Sequence, residues 1–222
     1  MKKKALAIIP ARANSKGVKN KNIKIFRDKP LIEHTISFVK DINLFDKIIV
    51  SSDSSKIKKI SEKKEVFFQK RPKFLASDES KIEETILHTL ENMIDRDSYK
   101  YIFLFEPTTP FRKKKTVTEC FEILKKKNFD SVFTVCRSFK FYGKVKSNNF
   151  FPLFDNQERR RQDRESLFFE CGSVYCFKVD KFLEKKRIID HKSYAYEIDE
   201  IEALDINSEN DFIILNSLSN KL

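Results

Sequence analysis

Short apolar runs alternate with amphipathic segments through the first 135 residues, and this alternation restricts the fold more than any other feature of the sequence. Five runs have the length and composition of buried strands, at residues 5–10, 47–51, 66–69, 101–105 and 131–136. Segments with apolar residues at helical spacing separate them, at residues 30–40, 54–64, 82–93 and 116–127. Pro30 suits a first helical turn, and Asp53 or Ser54 suits the N-cap of the second helix.

Alternating strands and helices predict parallel strands joined by right-handed crossovers, with helices on both faces of the sheet. We therefore predict an α/β fold, a Rossmann-like three-layer α/β/α sandwich with a mostly parallel sheet, formed by one domain over residues 1–222. In such sheets ligands bind outside the carboxyl ends of the strands. The loop that leaves the first strand is the first candidate for a site.

The alternation stops after Arg137. Residues 138–170 are rich in Phe, Lys, Arg and Asn without helical periodicity, which indicates an inserted arm or lid with short strands. Regular elements are predicted again beyond it, as strands at 173–177, 194–198 and 203–206 and as helices at 179–186 and 208–218.

Charge and hydropathy indicate where the protein is located and what partners it can bind. No apolar run approaches the roughly 18 residues that span a bilayer, and the apolar segment after the Lys2–Lys4 run is too short for a signal peptide. We expect a cytoplasmic protein with no membrane insertion. The net charge of +12 is compatible with a polyanionic partner, but the lysines are spread along the chain and no nucleic-acid-binding motif is present.

The cysteines and histidines do not indicate a metal site or a catalytic base. The four cysteines form no CxxC pair and lie far in sequence from the three histidines, which argues against a zinc site. Cys120 and Cys136 lie in apolar-periodic contexts and are expected to be reduced and buried. His34 and His88 lie on predicted helix faces with expected structural roles, so no side chain stands out as a general base.

The loop after the first strand is strongly basic. Residues 11–22, ARANSKGVKNKN, contain Arg12, Lys16, Lys19 and Lys21 and no acid, and Gly17 can free backbone N–H groups for an anion. The pattern is not a GxxxxGK[ST] phosphate loop. Its spacing alone leaves two interpretations open, a phosphate-binding loop or a solvated basic loop.

The same run strongly resembles the AR-x-x-SKG-x-x-x-KN signature of the acylneuraminate cytidylyltransferases, the CMP-sialic acid synthetase family. Further stretches resemble the family in the same order along the chain. They are IIVSSDS at 48–54, KRPKFLASD at 70–78, FLFEPTTPFR at 103–112, RRQD at 160–163, GSVY at 172–175 and ALDINSENDF at 203–212. Residues 138–158 match no family stretch.

The resemblance implies transfer of CMP from CTP to the anomeric hydroxyl of an acidic nine-carbon 2-keto sugar, with release of pyrophosphate and a requirement for Mg²⁺. It implies that Arg12 and Lys21 hold the triphosphate and stabilise the leaving group. The supporting nucleotide-binding residues would be Ser15, Lys16, Gly17, Asn22 and Arg71. It also implies a homodimer in which the arm of one subunit completes the site of the other.

On the sugar side, the resemblance implies roles for Glu106, Thr108, Arg161 and Gln162. Glu106 stands where relatives usually have glutamine, so it could bind an amine or hydroxyl of the sugar or contribute to a metal site. Arg161 aligns with a family arginine near the sugar. Phe169 and Cys171 replace the usual arginine and asparagine, which indicates an altered pattern of sugar substituents.

The implied metal ligands are Asp205 and Asn207, which would point to one face of a strand. Many relatives have aspartate at both positions, whereas Asn207 offers only a neutral carbonyl. Asp205 or Ser208 could instead cap the last helix. Alternatives for the whole protein are a nucleotidyltransferase with a different acceptor and a non-catalytic nucleotide-binding relative, with a nucleic-acid-binding module less well supported.

Overall fold

The computed structural model describes residues 4–154 and 158–219. Lys2 and Lys3 of the basic N-terminal run, residues 155–157 of the predicted arm and the last three residues of the predicted domain lie outside this range. Seven strands form the central sheet: β1 (Lys4–Pro10), β4 (Lys47–Ser52), β5 (Phe67–Lys70), β6 (Tyr99–Leu104), β7 (Ser131–Ser138), β10 (Leu167–Lys178) and β11 (Ser193–Ile198). Two short strand pairs lie outside the sheet: β2 (Ile25–Phe26) with β3 (Lys29–Pro30), and β8 (Gly143–Lys146) with β9 (Asn149–Pro152).

The described residues form six α-helices, which are α1 (Leu31–Ile42), α2 (Ser55–Lys63), α3 (Ile82–Glu91), α4 (Lys114–Lys126), α5 (Val179–Lys185) and α6 (Glu209–Ser219). The strand order is β11-β7-β10-β6-β1-β4-β5, with β10 antiparallel to both its neighbours and every other pairing parallel. The predicted α/β fold with a mostly parallel sheet is confirmed.

Strand β1 is an interior strand of this sheet, between β6 and β4, and both its faces are apolar. Ala5, Ala7 and Ile9 belong to one buried cluster, which also contains residues of α1, α2 and α4. Leu6 and Ile8 belong to the cluster on the opposite face, with residues of α3 and α5. The loop that follows β1 therefore leaves from a strand that is fixed on two sides.

A third apolar cluster anchors this loop to the C-terminal part of the chain. Val18 of the loop is fully buried with Phe26, Leu31, Ile206 and Phe212. The rings of Phe26 and Phe212 meet edge to face, with centroids 6.1 Å apart. The basic loop and the segment before α6 are therefore held together by burial of apolar side chains.

The strand predicted at residues 203–206 is wrong: these residues form a turn and irregular chain. The backbone N–H of Ile206 donates to the carbonyl oxygen of Thr108, 2.9 Å away, in the loop after β6. This bond ties the segment to a loop rather than to a strand, so no sheet ladder forms and the alternation of side-chain faces does not apply.

The predicted arm contains short strands, as expected, in the β8–β9 hairpin. Its turn places Ser147 and Asn148 at positive φ, 47° and 66°. The last residues of the predicted 138–170 segment belong to the first half of β10, which pairs with the end of β7. At the break in that pairing, the Thr134 hydroxyl donates to Cys171 O (2.7 Å) and accepts from Val174 N (3.1 Å), and so replaces the missing ladder bonds.

Several local predictions can be checked against these elements. Pro30 stands just before α1 rather than in its first turn, and the Ser54 hydroxyl caps α2 by accepting from Ile57 N at 3.4 Å. Cys120 and Cys136 are buried free thiols, as predicted. The His34 ring lies 2.7 Å from the Phe26 carbonyl oxygen in a structural contact. No helix in the described part of the chain is long and apolar enough to cross a membrane.

Candidate active site

A cavity of about 390 Å³ opens at the carboxyl ends of β1 and β6. Ten of the residues predicted from sequence lie on its wall, and most come from the basic loop. They are Arg12, Ser15, Lys16, Gly17, Lys21, Asn22, Arg71, Glu106, Thr108 and Asn207. The sheet edge where a Rossmann-like fold binds ligands is thus also the place where the motifs converge.

Side chains and neighbouring strands hold the loop in shape. The Ala13 N–H donates to the Asp53 carboxylate at 2.7 Å, and the Asn22 amide donates to the Arg12 carbonyl oxygen at 2.9 Å. Asn20 adopts a left-handed conformation, φ 55°, which Asn tolerates better than most residues. The loop is therefore preorganised and not simply solvated.

An acidic residue from the opposite wall pairs with the loop. The Arg12 guanidinium lies 2.5 Å from one oxygen of Asp78, and the Lys16 ammonium lies 3.5 Å from the other. The pair is partly exposed, with Asp78 36% accessible and Arg12 30% accessible, so it adds little to folding stability. The contacts with Asp78 instead hold the side chains of Arg12 and Lys16 in position at the cavity.

Arg71 forms a buried cationic part of the cavity wall. Its side chain is only 5% exposed, and its guanidinium donates to the carbonyl oxygen of Ser51 at 2.8 Å. Burial lowers the pKa of Arg71 to about 10, against an opposing effect from Asp53. The side chain still carries its charge at neutral pH.

The loop packs closely against the segment that carries the predicted metal ligands. The Lys21 ammonium donates to the Ile206 carbonyl oxygen at 2.5 Å. A Cβ atom on Gly17 would lie 1.8 Å from the Asn207 carbonyl oxygen, so only glycine fits this approach. Burial lowers the pKa of Lys21, and the negative charges of Asp205 and Glu106 oppose that effect.

Glu106 follows β6 and lies deep in the site. Burial raises the pKa of Glu106 to about 7; the charge of Asp205 adds to the rise, and Arg112 and Lys21 oppose it. A Cβ on Gly172 would lie 2.8 Å from Oε2 of Glu106, so the glycine leaves room for the carboxylate. A cation close to Glu106 would therefore lower the pKa of this carboxyl group.

Arg112 holds the backbone around Glu106 in place. Its guanidinium donates to the backbone carbonyl oxygens of Glu106 and Ser173, the latter at 2.5 Å, and to the Thr35 hydroxyl at 3.4 Å. Burial lowers the pKa of Arg112 to about 10, so the group remains a cation. It fixes the backbone at the end of β6 and supplies positive charge beneath Glu106.

The geometry resolves which residue caps α6. The Ser208 hydroxyl accepts from Asp211 N at 3.2 Å, while the Asp211 carboxylate accepts from Asn207 N (3.0 Å) and Ser208 N (2.7 Å). Asp205 takes no part in this capping. Its Oδ2 accepts from the Asn207 side-chain amide at 2.8 Å, and its Oδ1 is buried without a hydrogen-bond partner among the described residues.

Two predicted sugar-binding residues lie elsewhere. Arg161 and Gln162 are on a short 3-10 helix of the arm, exposed to solvent. Arg161 lines a separate cavity of about 540 Å³ with Arg137 and Phe169, and its guanidinium lies 5.7 Å from the centre of the Phe139 ring. Within one subunit these residues are not brought to the cavity that holds Glu106.

A second cavity of about 390 Å³ adjoins the first and shares Lys81, Ile82 and Glu106 with it. Lys186 and Arg187 lie on its wall, and neither side chain forms an ion pair within the described residues. Other polar and apolar residues on this wall are Glu170, Tyr175, Ile188 and Ile189. Apart from Glu106, none of these residues was predicted from the sequence as a site residue.

Three charged residues that shape the site were not predicted as site residues: Asp53, Asp78 and Arg112. Each lies inside a stretch that was matched to the family, IIVSSDS, KRPKFLASD or FLFEPTTPFR. A usable signal was thus present for each. What it could not give is the partner, because each pairs with a residue at least 40 positions away in sequence.

The fold is shared with solved structures of other proteins. The structure of CMP:2-keto-3-deoxy-manno-octonic acid synthetase complexed with CTP aligns with a TM-score of 0.73 and 10% identity, over 98% of this chain and 99% of that chain. A structure of 4-diphosphocytidyl-2C-methyl-D-erythritol synthase aligns with a TM-score of 0.73 and 12% identity, over 99% of both chains. At 10% and 12% identity these matches show that the α/β fold is shared.

Sequence comparison identifies the family. The model of the family described as Cytidylyltransferase matches residues 6–206, and this chain belongs to that family. It is 30% identical to the N-acylneuraminate cytidylyltransferase of Escherichia coli, over 100% of this chain and 53% of that protein. It is 28% identical to the CMP-N,N'-diacetyllegionaminic acid synthase of Legionella pneumophila, over 96% of this chain and 95% of that protein.

A third relative is the bifunctional pseudaminic acid cytidylyltransferase and UDP-2,4-diacetamido-2,4,6-trideoxy-beta-L-altropyranose hydrolase of Helicobacter pylori, which is 30% identical over 91% of this chain and 40% of that protein. The chain thus spans about half the length of several curated relatives that it matches. These matches confirm the resemblance that the motifs indicated.

Proposed function

We propose that this chain transfers CMP from CTP to the anomeric hydroxyl of a nine-carbon 2-keto acid sugar of the sialic, legionaminic or pseudaminic acid class. The hydroxyl oxygen forms a bond to the α-phosphorus, the bond between the α-phosphorus and the bridging oxygen breaks, and pyrophosphate leaves. The hydroxyl proton passes to solvent. The observation that carries the proposal is the convergence of ten motif residues on one cavity at the sheet edge.

The chain's own residues suit nucleotidyl transfer, in which catalysis is mostly positioning and neutralisation of charge. Arg12, Lys16 and Lys21 face the cavity and would bind the triphosphate oxygens. Arg and Lys contribute differently, because a guanidinium can grip phosphate with two parallel bonds while an ammonium acts as a point charge. Arg71, fixed by Ser51, would contact the nucleoside.

The adjoining cavity is where we place the acceptor. An acceptor bound there would lie beside the nucleotide across a shared wall that contains Glu106. Lys186 and Arg187 offer positive charge to the carboxylate of a keto acid. Ile188 and Ile189 offer an apolar surface to acyl or methyl substituents.

Magnesium is part of the proposal. Mg²⁺ prefers oxygen ligands and keeps several waters, and the buried Asp205 Oδ1 without a partner fits such an ion. The described residues hold no group of three or more His, Cys, Asp and Glu side chains arranged for a metal, so phosphates and water would complete its shell. When bound, it would neutralise phosphate charge and lower the pKa of the attacking hydroxyl.

The direct test uses the purified chain with CTP, Mg²⁺ and a panel of 2-keto acid sugars, with release of pyrophosphate as the measurement. We expect release with at least one nonulosonic acid and none with CTP alone. Binding of CTP without release for any sugar would instead support the non-catalytic relative. Release with a chemically different acceptor would support the alternative nucleotidyltransferase.

We also propose a homodimer in which the arm completes the partner's site. Exposed apolar side chains on the arm support it, namely Val145, Phe150, Phe151, Leu153 and Phe154, which are 48–69% accessible. Arg161 and Gln162 would then reach an acceptor cavity only in the neighbouring subunit. The four free cysteines fit a reducing compartment, and we place the dimer in the cytoplasm.

Mixed subunits test this arrangement. Arg12→Ala and Arg161→Ala are each expected to be inactive alone. If Arg161 acts across the interface, random exchange of subunits should restore about a quarter of wild-type activity, because half of the dimers are mixed and each has one intact site. No recovery after exchange, or a monomer in sedimentation velocity, would contradict the proposal. Arg12→Ala mixed with Lys21→Ala serves as the control that should not recover.

A further inference from the structure

The Asn207 side chain forms a hydrogen bond with Asp205. Its amide donates to Asp205 Oδ2 at 2.8 Å, and only the NH₂ end of an amide can face a carboxylate favourably. The Asn207 backbone N–H is also committed, to the Asp211 carboxylate. The residue thus supports Asp205 and supplies no second negative charge for a cation.

The other oxygen of Asp205 lacks a partner. Oδ1 is buried and accepts no hydrogen bond from any described residue. Leaving a buried acceptor unsatisfied is costly, and for a charged group more so than for a neutral one. The arrangement is therefore incomplete as it stands and is suited to a cation on the Oδ1 side.

A second carboxylate lies in the same electrostatic environment. Glu106 lines the same cavity as Asn207, whose side-chain amide donates to Asp205. The Ile206–Thr108 backbone bond joins the segment carrying Asp205 to the loop carrying Glu106. The Lys21 ammonium, which donates to Ile206 O, lines the same cavity from the loop side.

We propose that Glu106 and Asp205 together form the divalent-cation site of this chain, with Glu106 supplying the second carboxylate that Asn207 lacks. The inference rests on the proposed function, which requires Mg²⁺. It assigns Glu106 a role distinct from binding the acceptor. It also accounts for two departures from the family pattern with one change, since the acid lost at position 207 is replaced by an acid at position 106.

The test measures metal binding without turnover. Mn²⁺ is titrated into the full chain in the presence of CTP and the absence of any sugar, and the free ion is followed by electron paramagnetic resonance. We expect Glu106→Gln to weaken Mn²⁺ affinity about tenfold or more, within the range seen when groups that support a metal site are lost. Asp97→Asn, which removes a carboxylate that is 91% accessible and lies outside both cavities, is the control and should leave Mn²⁺ affinity unchanged.

A rescue variant makes the test decisive. Glu106→Gln combined with Asn207→Asp moves the second acid to the position that many relatives use, and should restore Mn²⁺ affinity to within about threefold of wild type. If Glu106→Gln binds Mn²⁺ normally and only raises KM for the sugar, Glu106 is an acceptor residue and the inference is overturned. Mn²⁺ binding through Glu106 without pyrophosphate release would instead sink only the proposed activity.

Discussion

Replacing Arg12 or Lys21 with alanine is expected to lower kcat/KM for CTP by about 10²–10³-fold, the loss typical of one preorganised donor to a developing negative charge. Both side chains line the cavity, and the loop that carries them is fixed before nucleotide binds by Asp53 and Asn22. A preorganised cation needs no reorganisation when the pyrophosphate leaves, so its loss falls mainly on turnover.

Stability should change far less. The Arg12–Asp78 pair is partly exposed, and Lys21 makes one hydrogen bond, to Ile206 O. We expect each variant to unfold within about 3 °C of wild type, which corresponds to about 1 kcal/mol for a chain of this size. Steady-state kinetics and thermal unfolding of the same preparations measure the two effects.

Lys19→Ala is the matched control, because Lys19 belongs to the same loop and carries the same charge but is exposed and lies outside the cavity. It should keep wild-type kinetics at physiological ionic strength, where a distant exposed charge is largely screened. Wild-type rates in Arg12→Ala or Lys21→Ala would show that the loop is not the triphosphate site. Equal losses in all three variants would indicate a general effect of charge.

The sheet and the loop could be predicted because both depend on local pattern. An apolar run such as residues 5–10 predicts a buried strand from its own composition, and the chain after it must emerge at the sheet edge. Antiparallel β10 could not be predicted this way. Its direction depends on pairing with β6 and β7, and its broken register depends on the Thr134 hydroxyl, which comes from a different strand.

In the candidate site, too, local sequence pattern predicted some features and could not predict others. Motif positions placed ten residues on one cavity, because nine of them follow the ends of β1, β5 or β6 and Asn207 alone does not. The family resemblance implied that Asp205 and Asn207 are metal ligands on one face of a strand. Residues 203–206 form no strand, and the structure puts the two side chains in direct contact through the Asn207 amide. The role of Glu106 depends on charges from three other segments. Such long-range electrostatics leave no periodicity in sequence.

Replacing Arg112 with methionine is expected to lower the free energy of unfolding by about 3–5 kcal/mol, the range for removing one partner from a buried charged network. Methionine fills much of the volume but donates no hydrogen bond. The carbonyl oxygens of Glu106 and Ser173 would lose their guanidinium donor, and Glu106 would lose the cation that most opposes the rise of its pKa. The unfolding midpoint should fall by roughly 10 °C.

Urea unfolding at pH 7.5 measures this change, with Lys114→Met as the control. Lys114 begins α4 two residues later and is exposed, so its loss should stay within about 0.5 kcal/mol of wild type. Arg112→Lys should fall between the two, because one ammonium keeps the charge but cannot reach three acceptors in the geometry of a guanidinium fork. A stability of Arg112→Met within 1 kcal/mol of wild type would mean that water satisfies these carbonyls. In that case the end of β6, and with it Glu106, would be held by the Thr109 hydroxyl and the neighbouring strands instead.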